Sequence, residues 1–469
     1  MCVQFFSRVF NAGSFALVAH LFAATVYSLL FPSLGTAEAD NLESAIRKAS
    51  ALPGAQIGIT VLDADTGRAV FDPTPDRALS PASSLKLLVT YASLRRLGST
   101  YRFPTEFLLD GTGTSASTLF VRGHGDPSLV TERLWAAVEQ MRRMGLRRVG
   151  EIVVDDSLFL SPRARTGTNP YQAAQSALSF NHNCESVVVQ PTLDGQPALV
   201  SLTPGSANTV APRVITKGRG KNVQFSLDPD GAIRVTGTIG TDSGALTEYL
   251  AISNPEENLG SILRGMLIAR EIAVLGPVRR GVTSQTAKPF FISQSKELGE
   301  ILEDLNRYSS NFAAEQIAFA LGKKDDGKYD RTLGLQRVKE SLVEGGLPVD
   351  GLVMLDASGL SSENRVSAHL LARVTSSAWQ SLEIAPVYIG SMSRFGISGT
   401  LKSRSLGSDS QGRIWAKTGT INNVSSLAGL AQGASGRRYA FAILINGGVS
   451  KEDASRVEDN IVRVLLSRG

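Results

Sequence analysis

Ser83 and Lys86 stand three residues apart in the run Ser83-Ser84-Leu85-Lys86, and Lys417-Thr418-Gly419 occurs once, far towards the C-terminus. Between them lies Ser309-Ser310-Asn311. A serine hydroxyl attacks a carbonyl only if a base takes its proton, and lysine can be that base when burial and neighbouring positive charge lower its proton affinity. The set is suited to acyl transfer through a serine ester, with Lys417 as a second cation for an anionic group. Each element is common by itself. Ser293-Gln294-Ser295-Lys296 repeats the serine–lysine spacing, and Ser179-Phe180-Asn181, Ser206-Ala207-Asn208 and Ser362-Glu363-Asn364 repeat S-x-N. The order of the three elements and the single K-T-G give the set its weight.

The elements that must position these residues are legible. Pro81 precedes Ser83, and Ser84 to Leu97 is rich in helix formers, with Leu85, Leu88, Ala92 and Arg95 on one face and Gly98 to close it. Ser83 then falls in the first turn with Lys86 on the same side, beside a positively poised helix terminus. The alternative is a capping serine beside a solvated lysine; the partners downstream weigh against it. Ser293 opens another helical run to Tyr308, but no basic strand lies at a suitable distance after a further S-x-N, and it is expected to be a cap. Lys417 lies in a β-rich run from Arg413 to Ile421, followed by apolar runs Val424 to Leu430 and Arg438 to Asn446. A last helix is expected from Lys451 to Ser467, with Val457, Ile461 and Leu465 on one stripe. This pattern predicts an antiparallel sheet with a covering helix. K-T-G on its edge strand would offer backbone groups to an extended peptide, and Gly419 would let a ligand come close.

A histidine base fits poorly. The chain has four histidines, of which His20 lies in an N-terminal apolar stretch, and no G-x-S-x-G elbow exists for His124, His182 or His369 to serve. Cys184, next to His182 and Asn183, precedes an apolar run and is expected to be a structural thiol. No H-E-x-x-H, no Cys/His cluster and no phosphate-cradling glycine loop is present, so no metal and no cofactor is expected. The net charge of +5 is spread without a basic run, which argues against nucleic-acid binding.

At the N-terminus Arg8 precedes an apolar stretch from Phe15 to Phe31, and small residues end in Ala37-Glu38-Ala39. This reads as a cleaved signal segment over residues 1–39, not a stable membrane span, because His20, Thr25 and Ser28 interrupt it. Cys2 falls within that segment, so the mature chain would hold Cys184 alone and no internal disulfide.

Taken together, these motifs resemble those of the D-alanyl-D-alanine carboxypeptidase/endopeptidase family, the class C low-molecular-mass penicillin-binding proteins. Gly123-His-Gly-Asp-Pro127, Asp155-Asp-Ser-Leu-Phe159, Asn181-His-Asn183, Asp356-Ala-Ser-Gly-Leu-Ser361 and Gly399-Thr-Leu-Lys-Ser-Arg404 extend the likeness over nearly the whole mature chain. The resemblance implies an α+β fold: a penicillin-binding, serine β-lactamase-like transpeptidase domain, its antiparallel sheet flanked by helices, interrupted by a large inserted, mostly β region. It implies a periplasmic serine peptidase acting on peptidoglycan stem peptides that end in D-Ala-D-Ala, and acylated by β-lactam antibiotics. In that scheme Ser83 is the nucleophile, Lys86 its base and Ser309 a proton relay. Asn311 holds the peptide amide, and Lys417, Thr418 and Gly419 line the carboxylate site. The N–H groups of Ser83 and Thr420 hold the oxyanion. Asp155 matches a family position that helps recognise the amine end of the stem peptide's diamino acid; a turn-capping aspartate is the alternative. The Ser362-Glu363 pair departs from the family, where a basic residue often stands, and Arg404 is a structural candidate.

At 469 residues the chain is too long for one core. A first catalytic part is expected over 40–102, with a hairpin from Ala55 to Phe71 turning at Asp65-Thr66-Gly67. An insertion over 103–288 follows, enclosing a compact β-rich segment at about 191–242 with a hairpin around Asp230-Gly231. The second catalytic part spans 289–469. Two other functions stay open on sequence. A β-lactamase shares the acylation chemistry, but no E-x-x-x-N follows Ser309 and the insertion argues against it. A non-catalytic peptidoglycan-binding scaffold would be expected to have lost a catalytic side chain, and none is missing. The sequence leaves the oligomeric state open.

Overall fold

The computed structural model describes residues 34–468 apart from 165, 204–209, 229–230, 405 and 408–409. The expected signal segment therefore lies outside the described residues as far as residue 33, as do Ser206, Asn208 and Asp230. From there a helix, Leu34–Ala49, leads into the first strand.

A six-stranded sheet joins the two ends of the chain. Its order is Ser393–Arg394, Ile414–Ile421, Val424–Gln432, Arg438–Asn446, Gln56–Asp63 and Ala69–Phe71, antiparallel throughout. The apolar runs are nearly continuous because both faces are covered. In Arg438–Asn446, Tyr439, Phe441, Ile443 and Ile445 pack with Leu42 and Ile46 and with the stripe Val457, Ile461 and Leu465 of the last helix, Lys451–Arg468. The alternate residues Ala440, Ala442 and Leu444 face a helical layer of Lys86–Leu97, Asn311–Leu321 and Ala368–Gln380.

The helix that follows Ser83 departs from the expected one. Ala82–Leu85 forms a 3-10 turn before the α-helix Lys86–Leu97, and Gly98 ends it with a φ of 81°. It is not amphipathic in use: Lys86 to Leu94 are all buried, whatever their face, and the helix reaches water at Arg95 and Arg96, with Leu97 partly buried. Such a helix is a core element, not a surface one. Ser293 is not a cap either. It pairs with Thr105 in the strand Lys288–Gln294, and the helix after it begins at Leu298, where the Glu300 side chain accepts from the Glu297 N–H at 3.2 Å. The strand bonds of Ser293 satisfy it before any helix starts.

A second, mixed sheet follows the order Ala273–Val274, Arg148–Asp155, Ser115–Gly123, Pro104–Thr112 and Lys288–Gln294. Arg148–Asp155 runs parallel to Ser115–Gly123, and the helix Thr131–Arg143 makes the crossover that such a pair requires. This helix and Pro255–Ala269 cover one face, with Leu134, Val138, Leu259 and Leu263 on Phe107, Val121 and Ile152. Two three-stranded sheets form a further β unit with its own core of Val187, Val189, Val214, Ile233, Val235 and Leu250. It starts at Cys184 and ends at Ala251, wider than 191–242, because the strands Cys184–Gln190 and Leu246–Ala251 pair with each other. Cys184 is buried, and burial and the Glu185 charge push its thiol up to about 12.

Residues 159–182 pack directly on the helix that carries Asn311. Phe159 stacks on Phe319, Gln316 donates to the Ser176 carbonyl at 2.9 Å, and His182 meets the Phe312 ring edge-on. Asn181, His182 and Asn183 all have positive φ, held by side-chain bonds from Asn181 to Thr131 and from Asn183 to Ala174.

Candidate active site

Three chain segments meet at Lys86. Its Nζ donates to Ser83 Oγ at 2.9 Å, to Asn311 Oδ1 at 2.8 Å and to the Ser358 carbonyl at 2.5 Å. The first bond follows from the helix start, which puts residues three apart on one side. The second comes from Asn311, the first residue of Asn311–Leu321, whose N-cap is Ser310 accepting from the Ala313 N–H at 3.1 Å. The third comes from the loop after Asp356. The Asp356 carboxylate shapes that loop by accepting from the N–H groups of Gly359 at 2.6 Å and Ser361 at 2.7 Å.

Backbone fit sets the site's walls. A Cβ on Gly419 would stand 2.8 Å from both Ser83 N and the Pro81 oxygen and 2.3 Å from Ser426 Oγ. The expectation that Gly419 leaves room for a ligand is therefore corrected: the space is filled by the protein's own nucleophile turn, and the glycine lets the K-T-G strand lie against it. Ser426 fastens the same turn by donating to the Pro81 carbonyl at 2.7 Å and sharing a 2.8 Å hydrogen bond with Ser84 Oγ. Ala82, just before Ser83, has a φ of 46°, and Ser309 one of 59°. Left-handed backbone at non-glycine residues is strained, and here it occurs next to Ser83 and two residues before Asn311.

Both lysines are completely buried. Burial holds Lys86 down at about 7, with the Glu315 and Asp356 charges pulling the other way. Burial and then the Lys86 charge hold Lys417 well below the lysine range. Desolvation thus dominates at Lys86, and the repulsion between the two amines acts on Lys417. Lys417 Nζ donates to the Thr418 carbonyl at 2.7 Å, and Thr418 Oγ1 to Thr400 Oγ1 at 2.8 Å. The K-T-G strand is not the sheet's outermost. Ser393–Arg394 pairs only with Trp415 and Ala416, so the edge from Lys417 onwards carries no neighbouring strand among the described residues.

A model of the D-Ala-D-Ala carboxypeptidase 3 (S13) family matches residues 38–467. The chain belongs to this family. As an S13 member it is a serine peptidase, with an α+β fold. A D-alanyl-D-alanine carboxypeptidase from Actinomadura sp. is 32% identical to this S13 chain over 432 residues, covering 86% of this chain and 80% of that one. The crystal structure of penicillin binding protein 4 from Haemophilus influenzae superimposes with a TM-score of 0.77 at 20% identity, over 90% of this chain and 98% of that one. A predatory peptidoglycan endopeptidase from Bdellovibrio bacteriovorus gives 0.53 at 14% identity, over 88% and 92%.

Of the S13 residues expected at the site, Ser83, Lys86 and Asn311 are joined by direct bonds, and Gly419 abuts Ser83. Ser309 sits half-buried at the turn two residues before Asn311, and its hydroxyl is not one of the three partners of Lys86. Thr420 follows Gly419 on the strand, exposed. Asp155 is different. Its side chain is buried, and its carboxylate accepts from the N–H groups of Ser157 at 3.0 Å and Thr283 at 2.7 Å. Each oxygen accepts one backbone N–H, which is the turn-cap geometry named as the alternative to diamino-acid recognition. The three described histidines lie elsewhere: His124 bonds Glu106 and Tyr329, His369 bonds Asp72, and His182 meets Phe312. Arg404 joins Glu458 and Asp459 of the last helix and is structural.

Sequence reasoning missed three participants: the Ser358 carbonyl, Ser426 and Glu315. Glu315 lies four residues after Asn311, and that spacing on one helix face was the available signal.

Proposed function

We propose that the protein is a D-Ala-D-Ala carboxypeptidase and D-alanyl endopeptidase of peptidoglycan that works through an acyl-enzyme on Ser83. The observation that carries this is the completely buried Lys86 amine, 2.9 Å from Ser83 Oγ, whose proton affinity burial lowers to about 7 so that it can act as a base. Lys86 takes the hydroxyl proton as Ser83 Oγ bonds to the penultimate D-alanine carbonyl carbon. The N–H groups of Ser83 and Thr420 hold the oxyanion. Lys86 returns that proton through the Ser309 hydroxyl to the departing amine as the C–N bond breaks, releasing D-alanine or, from a cross-link, the neighbouring peptide. Water then hydrolyses the ester. Asn311 binds the stem-peptide amide, and Lys417 and Thr418 receive the terminal carboxylate, which β-lactams mimic. The open strand edge beyond Lys417 suits an extended peptide. The Actinomadura relative supports the carboxypeptidase activity and the Bdellovibrio structure's fold is compatible with the endopeptidase one.

We read residues 40–102 and 289–469 as one catalytic domain interrupted by 103–288, supported by the sheet that draws strands from both ends. The periplasm, reached by cleavage after residue 39, is the compartment where such a substrate is met.

The test is covalent labelling of the mature protein by a fluorescent penicillin, with Ser83→Ala alongside. A stable adduct of one penicillin per chain, absent from the folded mutant, is expected. A folded wild-type protein that takes no label would overturn the acyl-enzyme.

A further inference from the structure

We propose that Glu315 positions and tunes Lys86: its buried carboxylate holds the Ala357–Ser358 backbone so that the Ser358 carbonyl meets the amine, and its charge favours the amine's protonated form. This rests on Lys86 being the base. Glu315 is a positioning residue, since it touches neither Ser83 nor the substrate site directly.

The geometry is a relay of named atoms. Asn311 and Glu315 lie one helical turn apart in Asn311–Leu321 and address the same neighbour from two directions. Asn311 accepts from Lys86 Nζ directly. Glu315 Oε1 accepts from the N–H groups of Ala357 and Ser358, each at 3.0 Å, and Ser358 then offers its carbonyl to Lys86. Glu315 Oε2 faces Arg331 Nη1 at 3.4 Å. The Glu315 side chain is almost wholly out of water. A buried carboxylate survives only with such partners, and two N–H groups and one guanidinium are what it has.

The charged groups around Glu315 come from every element packed on it. Lys86 comes from the nucleophile helix, Asp356 from the loop, Arg331 from the helix Arg331–Glu344 and Arg163 from the inserted region. Asp356 is already taken up by its own loop amides. Among the charges opposing the desolvation of Lys86, that of Glu315 is the larger and that of Asp356 the smaller. A residue needed only for the loop could be any hydrogen-bond acceptor. A carboxylate does both tasks, and the two can be separated.

The experiment measures the rate constant of acylation by fluorescent penicillin from pH 5.5 to 9 for the wild type, Glu315→Gln, Arg331→Gln and Lys86→Met. In Glu315→Gln the amide oxygen still accepts from the loop but the charge is gone. Protonated Lys86 loses support, so the acid limb of the profile moves down by about one pH unit. In Arg331→Gln the buried Glu315 carboxylate loses the guanidinium that opposes its protonation, its charge is weakened, and the limb moves down as well. If Glu315→Gln does not fold, Arg331→Gln, at a partly exposed site, carries the test. A limb that stays in place in the folded variants, with or without a uniform loss of rate, would overturn the proposal. Lys86→Met that still takes the label would instead remove the base assignment on which it rests.

Discussion

Gly359 lies so close to Ala82 that a Cβ on the glycine would stand 1.9 Å from the Ala82 oxygen and 3.1 Å from Ser83 N. The φ of Gly359 is 79°, a conformation that side chains resist. The loop that supplies the Ser358 carbonyl thus rests directly on the turn that presents the nucleophile. Gly359→Ala is expected to cost about 3 kcal/mol, through both overpacking and backbone strain. It should also slow acylation by at least about tenfold, because the loop can relieve the clash only by withdrawing from Lys86. Thermal unfolding and penicillin acylation rates on the same preparation check both. Wild-type values for each would show that the loop yields without cost.

The Lys86 amine sets a pH dependence whose sign is fixed. Its folded value of about 7 lies below the usual lysine value of 10.5, because burial disfavours the cation. The amine is a base only when neutral, so acylation should rise with pH through about 7 and level off above it. Lys86→Met should fold and lose acylation by about a thousandfold or more, in the range expected of a general base. A stopped-flow profile with a chromogenic cephalosporin tests the limb; a rate flat between pH 5.5 and 8.5 would leave no place for a titrating base.

Arg404 serves stability at a distance from this chemistry. Its guanidinium joins Glu458 at 2.8 Å and Asp459, and Ser425 donates to Glu458 at 2.7 Å, tying the last helix to the sheet beside K-T-G. Glu458 is only 2% exposed, so removing its cation leaves a buried carboxylate unpaired. Arg404→Ala is expected to destabilise the fold by about 3 kcal/mol. Burial already pushes the Glu458 carboxyl up, and losing Arg404 should push it further. Urea unfolding should report the loss, while the acid limb of acylation stays in place. A shifted limb would mean that Arg404 acts on Lys86 after all.

Much of the site can be read from the chain because its parts are local patterns. Ser83 and Lys86 are three residues apart in one helix start, and the K-T-G strand, its two neighbours and the last helix follow from continuous apolar runs and a 3.6-residue stripe. Those signals need only a few consecutive residues, and they determined the family and the sheet and named the candidate reacting groups. What they could not carry is the surroundings of each group. Lys86 and its Ser358 acceptor are 272 residues apart, and Ser84 and its Ser426 partner 342. The full burial of Lys86, the charges that oppose it, the turn-capping role of Asp155 and the reason for glycine at 419 all depend on such pairs. Proton affinity and close fit are set by what the folded chain brings within a few ångströms, and only the tertiary structure decides that.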